Sequence, residues 1–187
     1  MNIAFQGNGW FSGPSNLSMN TLVAANISCL EQGLAFLGNL PAGLYTDSCP
    51  ELFNSSIGGH IRHNLDHYSA FLNGYGAGNV DYDKRDRDSE VESDPEVAIR
   101  LMLEIRKQLE EIPEEDDGRL IRSRMDDGGD SGWSETSVRR ELQFLLSHTI
   151  HHYALIVSLA VRHGMVDFPK GFGVAPSTLN YKLAQGA

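Results

Sequence analysis

Four stretches of the chain space their apolar residues at threes and fours, the pattern of helices that bury one face. The first runs from about Ser18 to Leu40, repeats Leu22, Ile27, Leu30, Leu34 and Leu37, and is stopped by Pro41 and Gly43. The second starts after "CPELFNSS", where Asn54 or Ser55 can cap it, and continues to about Leu72 before "NGYGAGN". Its apolar stripe is Ile57, Ile61, Leu65 and either Tyr68 or Leu72. The third opens at "SDPE": Ser93 or Asp94 caps, Pro95 suits the first turn and Glu96 favours the positive helix end. Val97, Leu101, Ile105, Leu109 and Ile112 form its stripe, and Pro113 ends it. The fourth spans about Thr136 to His163, capped by Thr136 or Ser137 and closed by Gly164.

Between the second and third helices lies "VDYDKRDRDSEVESDPE", which reads as a solvated acidic linker without a core signal. Before the fourth helix, "RLIRSRM" and "GWSET" flank an Asp- and Gly-rich turn and suggest two short extended arms, a β-hairpin or extended loop. The fold class is therefore all-α, a four-helix bundle in which the long connection after the second helix permits a crossover. Residues 1–17 are patternless and read as a loose arm, 18–164 as the bundle, and 165–187 as loop with one short helical turn after Pro176.

Composition narrows the function classes. The 187 residues, 41% hydrophobic and 21% charged, describe an ordinary globular domain. The formal net charge of -10 and the lack of a basic arm argue against nucleic acid and against an anionic membrane as partners. The first Lys or Arg is Arg62, so no charged n-region of a signal peptide is expected, and no apolar run approaches the roughly 18–20 residues that span a bilayer. Cys29 and Cys49 lack CxxC spacing and read as reduced cysteines of a cytoplasmic protein.

The chemistry sits in the histidines. Six of the seven fall in two windows, 60–67 and 148–152, one on the second predicted helix and one on the fourth. His148 and His152 are four apart and share a face, a spacing that lets two imidazoles reach one ion. His151 is rotated about 100° from His152 and does not share that face. Two ligands on one helix underbind a metal, so a third must come from the second helix, which offers His60, His63 and His67. Three imidazoles from two helices leave coordination positions open for water or substrate. A lone helical histidine is more often exposed or hydrogen-bonded within a core. It is the second cluster, on a different amphipathic helix, that tips the balance towards metal. The letters "HTIHH" lack the glutamate of the HExxH zinc peptidases. Glu141, two turns before His148, and Asp66, three residues after His63, are candidates to orient the ligands from outside.

"SSIGGHIRHNLDHY" and "RELQFLLSHTIHHYALI" resemble the DinB/YfiT-like superfamily, and the resemblance covers most of residues 18–163. It implies an up-up-down-down four-helix bundle with a three-histidine metal site. The family's histidine about seven residues after the helix-start serine falls on His63, counting from Ser56, and its later HxxxH falls on His148 and His152. His151 matches an extra histidine often seen there. Where the family often continues Arg-Gly-Gln, this chain has Tyr153, Ala154 and Leu155. The resemblance implies a divalent metal, zinc or nickel foremost and iron also suited. It further implies a metal-dependent enzyme acting on a small-molecule substrate, of the thiol S-transferase type or a related hydrolase or isomerase, with a low-molecular-weight thiol as co-reactant. Arg62, Asp66, Glu141 and Tyr153 are the nearby groups able to donate, accept or hold a carboxylate. The alternative is a metal-stabilised bundle without catalysis. A homodimer is expected by the same resemblance.

Overall fold

The computed structural model describes residues 19–50, 54–84, 89–126, 128–129 and 132–185; the predicted N-terminal arm lies outside them. In chain order the elements are α1 (Met19–Leu37), α2 (Ile57–Tyr75), β1 (Asn79–Asp81), α3 (Ser89–Ser93), α4 (Pro95–Glu110), β2 (Leu120–Arg124), β3 (Ser134–Ser137), α5 (Val138–Arg162) and α6 (Pro176–Ala184). The chain is mostly helical, as expected, and adds one small sheet.

Helices α2, α4 and α5 each start at a side-chain cap. Ser56, rather than Asn54 or Ser55, accepts the Gly59 amide at 3.0 Å and opens α2. Asp94 accepts the Glu96 amide and Pro95 follows it in the first turn of α4. Ser137 accepts the Arg140 amide at the head of α5, leaving Thr136 in β3. The four long helices pack cyclically, α1 against α5 and α4, and α2 against the same two. Their buried faces form one core around Leu30, Phe36, Ile61, Leu65, Phe71, Met102, Ile105, Leu142, Leu145 and Ile156. Helix α5 is the backbone of this arrangement, 25 residues and about 37 Å long. By length and composition alone it is apolar enough to cross a membrane, which corrects the expectation that no segment would be. Here its apolar face is spent on α1 and α2.

The interior is not uniformly apolar. Tyr68 donates its hydroxyl to Asn26 Oδ1 at 2.8 Å, and the Asn26 amide donates to the Leu142 carbonyl at 3.2 Å, so one chain of bonds joins α2, α1 and α5. Asn64, only 2% exposed, is different: neither end of its amide has a partner among the described residues. An unpaired buried amide costs about 1–3 kcal/mol. Asn64→Leu, a branched side chain of similar shape, is expected to raise the melting temperature, as a thermal melt would read; an unchanged or lower value would mean that the amide is satisfied.

The acidic connection departs from expectation. It is not a bare linker: Val80 of β1, Tyr82 and Val91 of α3 are all buried. β1 pairs in parallel with β2, and β2 pairs antiparallel with β3, in the order β1-β2-β3. The arms predicted around the Asp/Gly turn are thus a real hairpin, extended by a third strand. Gly74 makes the docking of β1 on α2 feasible, because a Cβ there would lie 2.3 Å from the Asn79 carbonyl oxygen. The segment after Pro176 is a nine-residue helix rather than a single turn. In α4 the buried positions are Ala98, Met102, Ile105 and Leu109, so the core face is rotated from the predicted stripe, and Val97 and Leu101 are only half-buried. Both cysteines are free and buried; burial holds the Cys29 thiol up at about 12, which keeps it protonated.

Candidate metal centre

Helix α2 turns His60, His63 and His67 towards α5, and α5 returns His148 and His152 towards α2. The rings meet there. One ligand nitrogen from each of His63, His148 and His152 lies within 4.8 Å of the other two. Ring centroids are 5.0 Å apart for His63 and His148, 4.6 Å for His63 and His152, and 4.5 Å for His148 and His152. All three side chains are half-buried.

This donor set fits a divalent ion. Bonds of about 2.1 Å to imidazole nitrogen put the nitrogens roughly 3–3.5 Å apart, which small side-chain rotations reach from the present spacing. The charge state fits as well. Burial, with His148, His63, His60 and His151 around it, lowers His152 to about 2, so its ring is neutral at pH 7 and keeps a lone pair to give. His60 is lowered in the same direction, by burial and then by His151.

Aromatic rings wall the inner end. His67 is 3% exposed, its Nδ1–H donates to the His63 carbonyl at 2.8 Å, and its ring lies 4.4 Å from that of His148. Tyr82 stacks on His67 at 5.4 Å, and Phe144 stacks on His148 at 5.3 Å. Tyr82 is fixed in turn: its hydroxyl donates to Glu141 Oε2 at 2.6 Å, while the Thr136 hydroxyl donates to Oε1 at 2.7 Å. Burial and the Glu141 carboxylate raise the Tyr82 phenol far above its ordinary range, so it stays a donor.

Of the outer candidates, Glu141 therefore spends both oxygens on Tyr82 and Thr136 and reaches the histidines only through the Tyr82 ring. Asp66 accepts from Arg62 Nη1 at 2.7 Å and lines a groove with Leu101 and Glu104 of α4. Arg62 also reaches Glu92 at 2.8 Å. His151 is exposed, with its ring 5.2 Å from that of His152. Tyr153 points into the core, stacked on Phe172 at 4.3 Å, with its hydroxyl directed at Gly33. Tyr82 and Phe144 have no place in the sequence pattern, whereas His60 and His67 stand in it as alternatives to His63 for the third ligand; neither belongs to the converging group. The one signal for those two was their spacing of three and four from His63, which puts all three on one helix face.

The fold and this cluster define a helical protein with a three-histidine candidate metal centre between two of its long helices. A family model described as the DinB superfamily matches residues 30–156, and the chain belongs to that superfamily. Among curated proteins, FK506-binding protein 5 of Rhizopus delemar is 37% identical over 105 residues, 54% of this chain and 27% of that protein. The chain thus spans about a quarter of the length of this relative. No solved structure gives a significant match.

Proposed function

We propose that the chain binds a divalent metal, zinc or nickel foremost, through His63, His148 and His152, and serves as a small-molecule enzyme of the thiol-transferase type. The observation that carries the metal reading is the convergence of three ligand nitrogens, from two helices, within 4.8 Å. The cyclic packing of α1, α5, α2 and α4 supports the up-up-down-down bundle that the family resemblance implies. When bound, such an ion lowers the pKa of a water or thiol held beside it. A cavity of about 220 Å³, lined by Tyr82, Ser123, Met125, Arg140, Glu141 and Phe144, adjoins the histidines through the Tyr82 and Phe144 rings. It offers apolar walls with the Arg140 cation and the Glu141 carboxylate side by side, a lining for a compact polar ligand.

A second reading, a metal-stabilised bundle without catalysis, draws on Phe144, whose ring covers one side of His148. Elemental analysis after purification from metal-replete cells tests the shared part. Stoichiometric metal, or a higher melting temperature on adding zinc or nickel, is the expected result; a chain that stays metal-free and gains no stability sinks the site. Small thiols assayed with a chloroaromatic or maleyl-type electrophile then separate the two readings. Turnover abolished by a chelator supports the enzyme.

A further inference from the structure

His60 is not one of the three converging ligands, yet it makes the only hydrogen bond of the His152 ring among the described residues. The two Nδ1 atoms are 2.9 Å apart, with ring centroids at 5.1 Å and planes inclined at 47°. A bond between two imidazole nitrogens needs a proton on one and a lone pair on the other. Only two arrangements of neutral rings satisfy this. If His60 donates, the Nδ1 lone pair of His152 is consumed and its proton sits on Nε2, which leaves that ring with nothing to give an ion. If His152 donates, its proton is on Nδ1 and its Nε2 lone pair is available.

We propose that His60 is a positioning residue: its Nδ1 lone pair accepts the Nδ1–H of His152, fixing the tautomer and ring plane in which His152 offers Nε2 to the metal. This deepens the three-histidine reading and rests on it. The usual outer partner of a ligating histidine is a carboxylate, a backbone carbonyl or a water. Here the candidate carboxylates are taken elsewhere, Asp66 by Arg62 and Glu141 by Tyr82 and Thr136. Helix geometry also supplies the reason for a histidine at this place. His60 lies one turn before His63 on the same face of α2, so a single helix provides one ligand and the partner that orients another.

The test compares the wild-type chain with His60→Leu and His60→Asn, using zinc alone as the probe. Asn can place its side-chain oxygen near the position of imidazole Nδ1 and so restore an acceptor; Leu cannot. Zinc affinity by competition with a chromophoric chelator is expected to fall about 10–100-fold in His60→Leu, the usual cost of losing an outer partner. His60→Asn should recover most of that loss. Long-range proton–nitrogen spectra of histidine-labelled zinc-bound protein supply a readout that a merely structural role would not move. His152 Nδ1 should appear protonated in the wild type and the Asn variant, and lose its single protonated signature in the Leu variant. Melting of the metal-free proteins checks that all three fold. Equal zinc affinity in wild type and His60→Leu, or spectra showing a His60 nitrogen bound to zinc, would overturn the positioning role alone. A wild-type chain with no zinc affinity would overturn the metal centre and this inference together.

Discussion

His148→Ala is expected to abolish high-affinity binding of zinc or nickel while leaving the metal-free helical fold in place. The His148 ring forms a triangle with those of His63 and His152, 5.0 and 4.5 Å away, and it is one of the two ligands that α5 supplies. Without it one imidazole from each helix remains, and no pair from a single rigid element. The loss should therefore exceed the roughly 10–100-fold that removal of an outer partner costs. The fold should tolerate the change, because the ring is half-buried and its ring neighbours, Phe144 and His67, are anchored by their own contacts. Two further substitutions make the prediction specific. His151→Ala, at an exposed position, should bind metal like the wild type. His67→Ala should lose stability first, since it removes a buried ring and its hydrogen bond to the His63 carbonyl. Calorimetric titration with zinc, paired with thermal melts of the metal-free chains, reads both effects. Undiminished affinity in His148→Ala, or the same loss in His151→Ala, would be incompatible with the three-histidine centre.

The contrast between His148 and His151 also shows where sequence reasoning works here. Helix periodicity fixes which residues share a face, so the pairing of His148 with His152 and the exclusion of His151 follow from counting alone. Periodicity is silent about what a face meets. The α4 stripe was expected through Val97 and Leu101, but α4 packs on both α1 and α2, and the centre of its buried face falls on Ala98 and Met102. Tyr153 looks like a pocket residue because it follows His152. One step along a helix is about 100°, however, and that rotation turns it towards α1, where Gly33 leaves room for its hydroxyl. The acidic connection was misjudged for a different reason. Val80, Tyr82 and Val91 are isolated among charges, and their burial depends on partners far along the chain. β1 pairs with β2 more than forty residues later, and Tyr82 bonds to Glu141 across 59 positions. No local pattern encodes such contacts. For the same reason the aromatic wall behind the histidines, half of which comes from that connection, was not legible. Among the described residues of this connection, Val80, Tyr82 and Val91 are buried anchors, and Tyr82 bears on the candidate site.

The other large effect expected is on α2 itself. Gly58→Ala should destabilise the protein although alanine is the better helix former by about 1 kcal/mol. Gly58 sits in the first turn of α2 with its amide bonded to the Tyr45 carbonyl at 2.8 Å. A Cβ there would stand 2.0 Å from the Glu92 carbonyl oxygen and 2.8 Å from Tyr45 Cε1. Neither neighbour can step aside cheaply. The Tyr45 hydroxyl donates to the Val91 carbonyl at 2.6 Å, Val91 is buried, and Glu92 is tied to Arg62 of α2. Relief requires α3 to move off α2 as a unit, at an overpacking cost of about 1–3 kcal/mol or more. For a chain of this size each kcal/mol lowers the melting temperature by about 2–4 °C. Gly76→Ala is the matched control: its φ of -58° suits alanine and a Cβ there meets nothing within 4 Å, so it should melt no lower than the wild type. The first turn of α2 also sets the height of His60 and His63 opposite α5. Displacing it should weaken zinc binding in the same variant, although residue 58 touches no ligand. A Gly58→Ala chain that melts like the wild type would show that α3 is not clamped on the helix start.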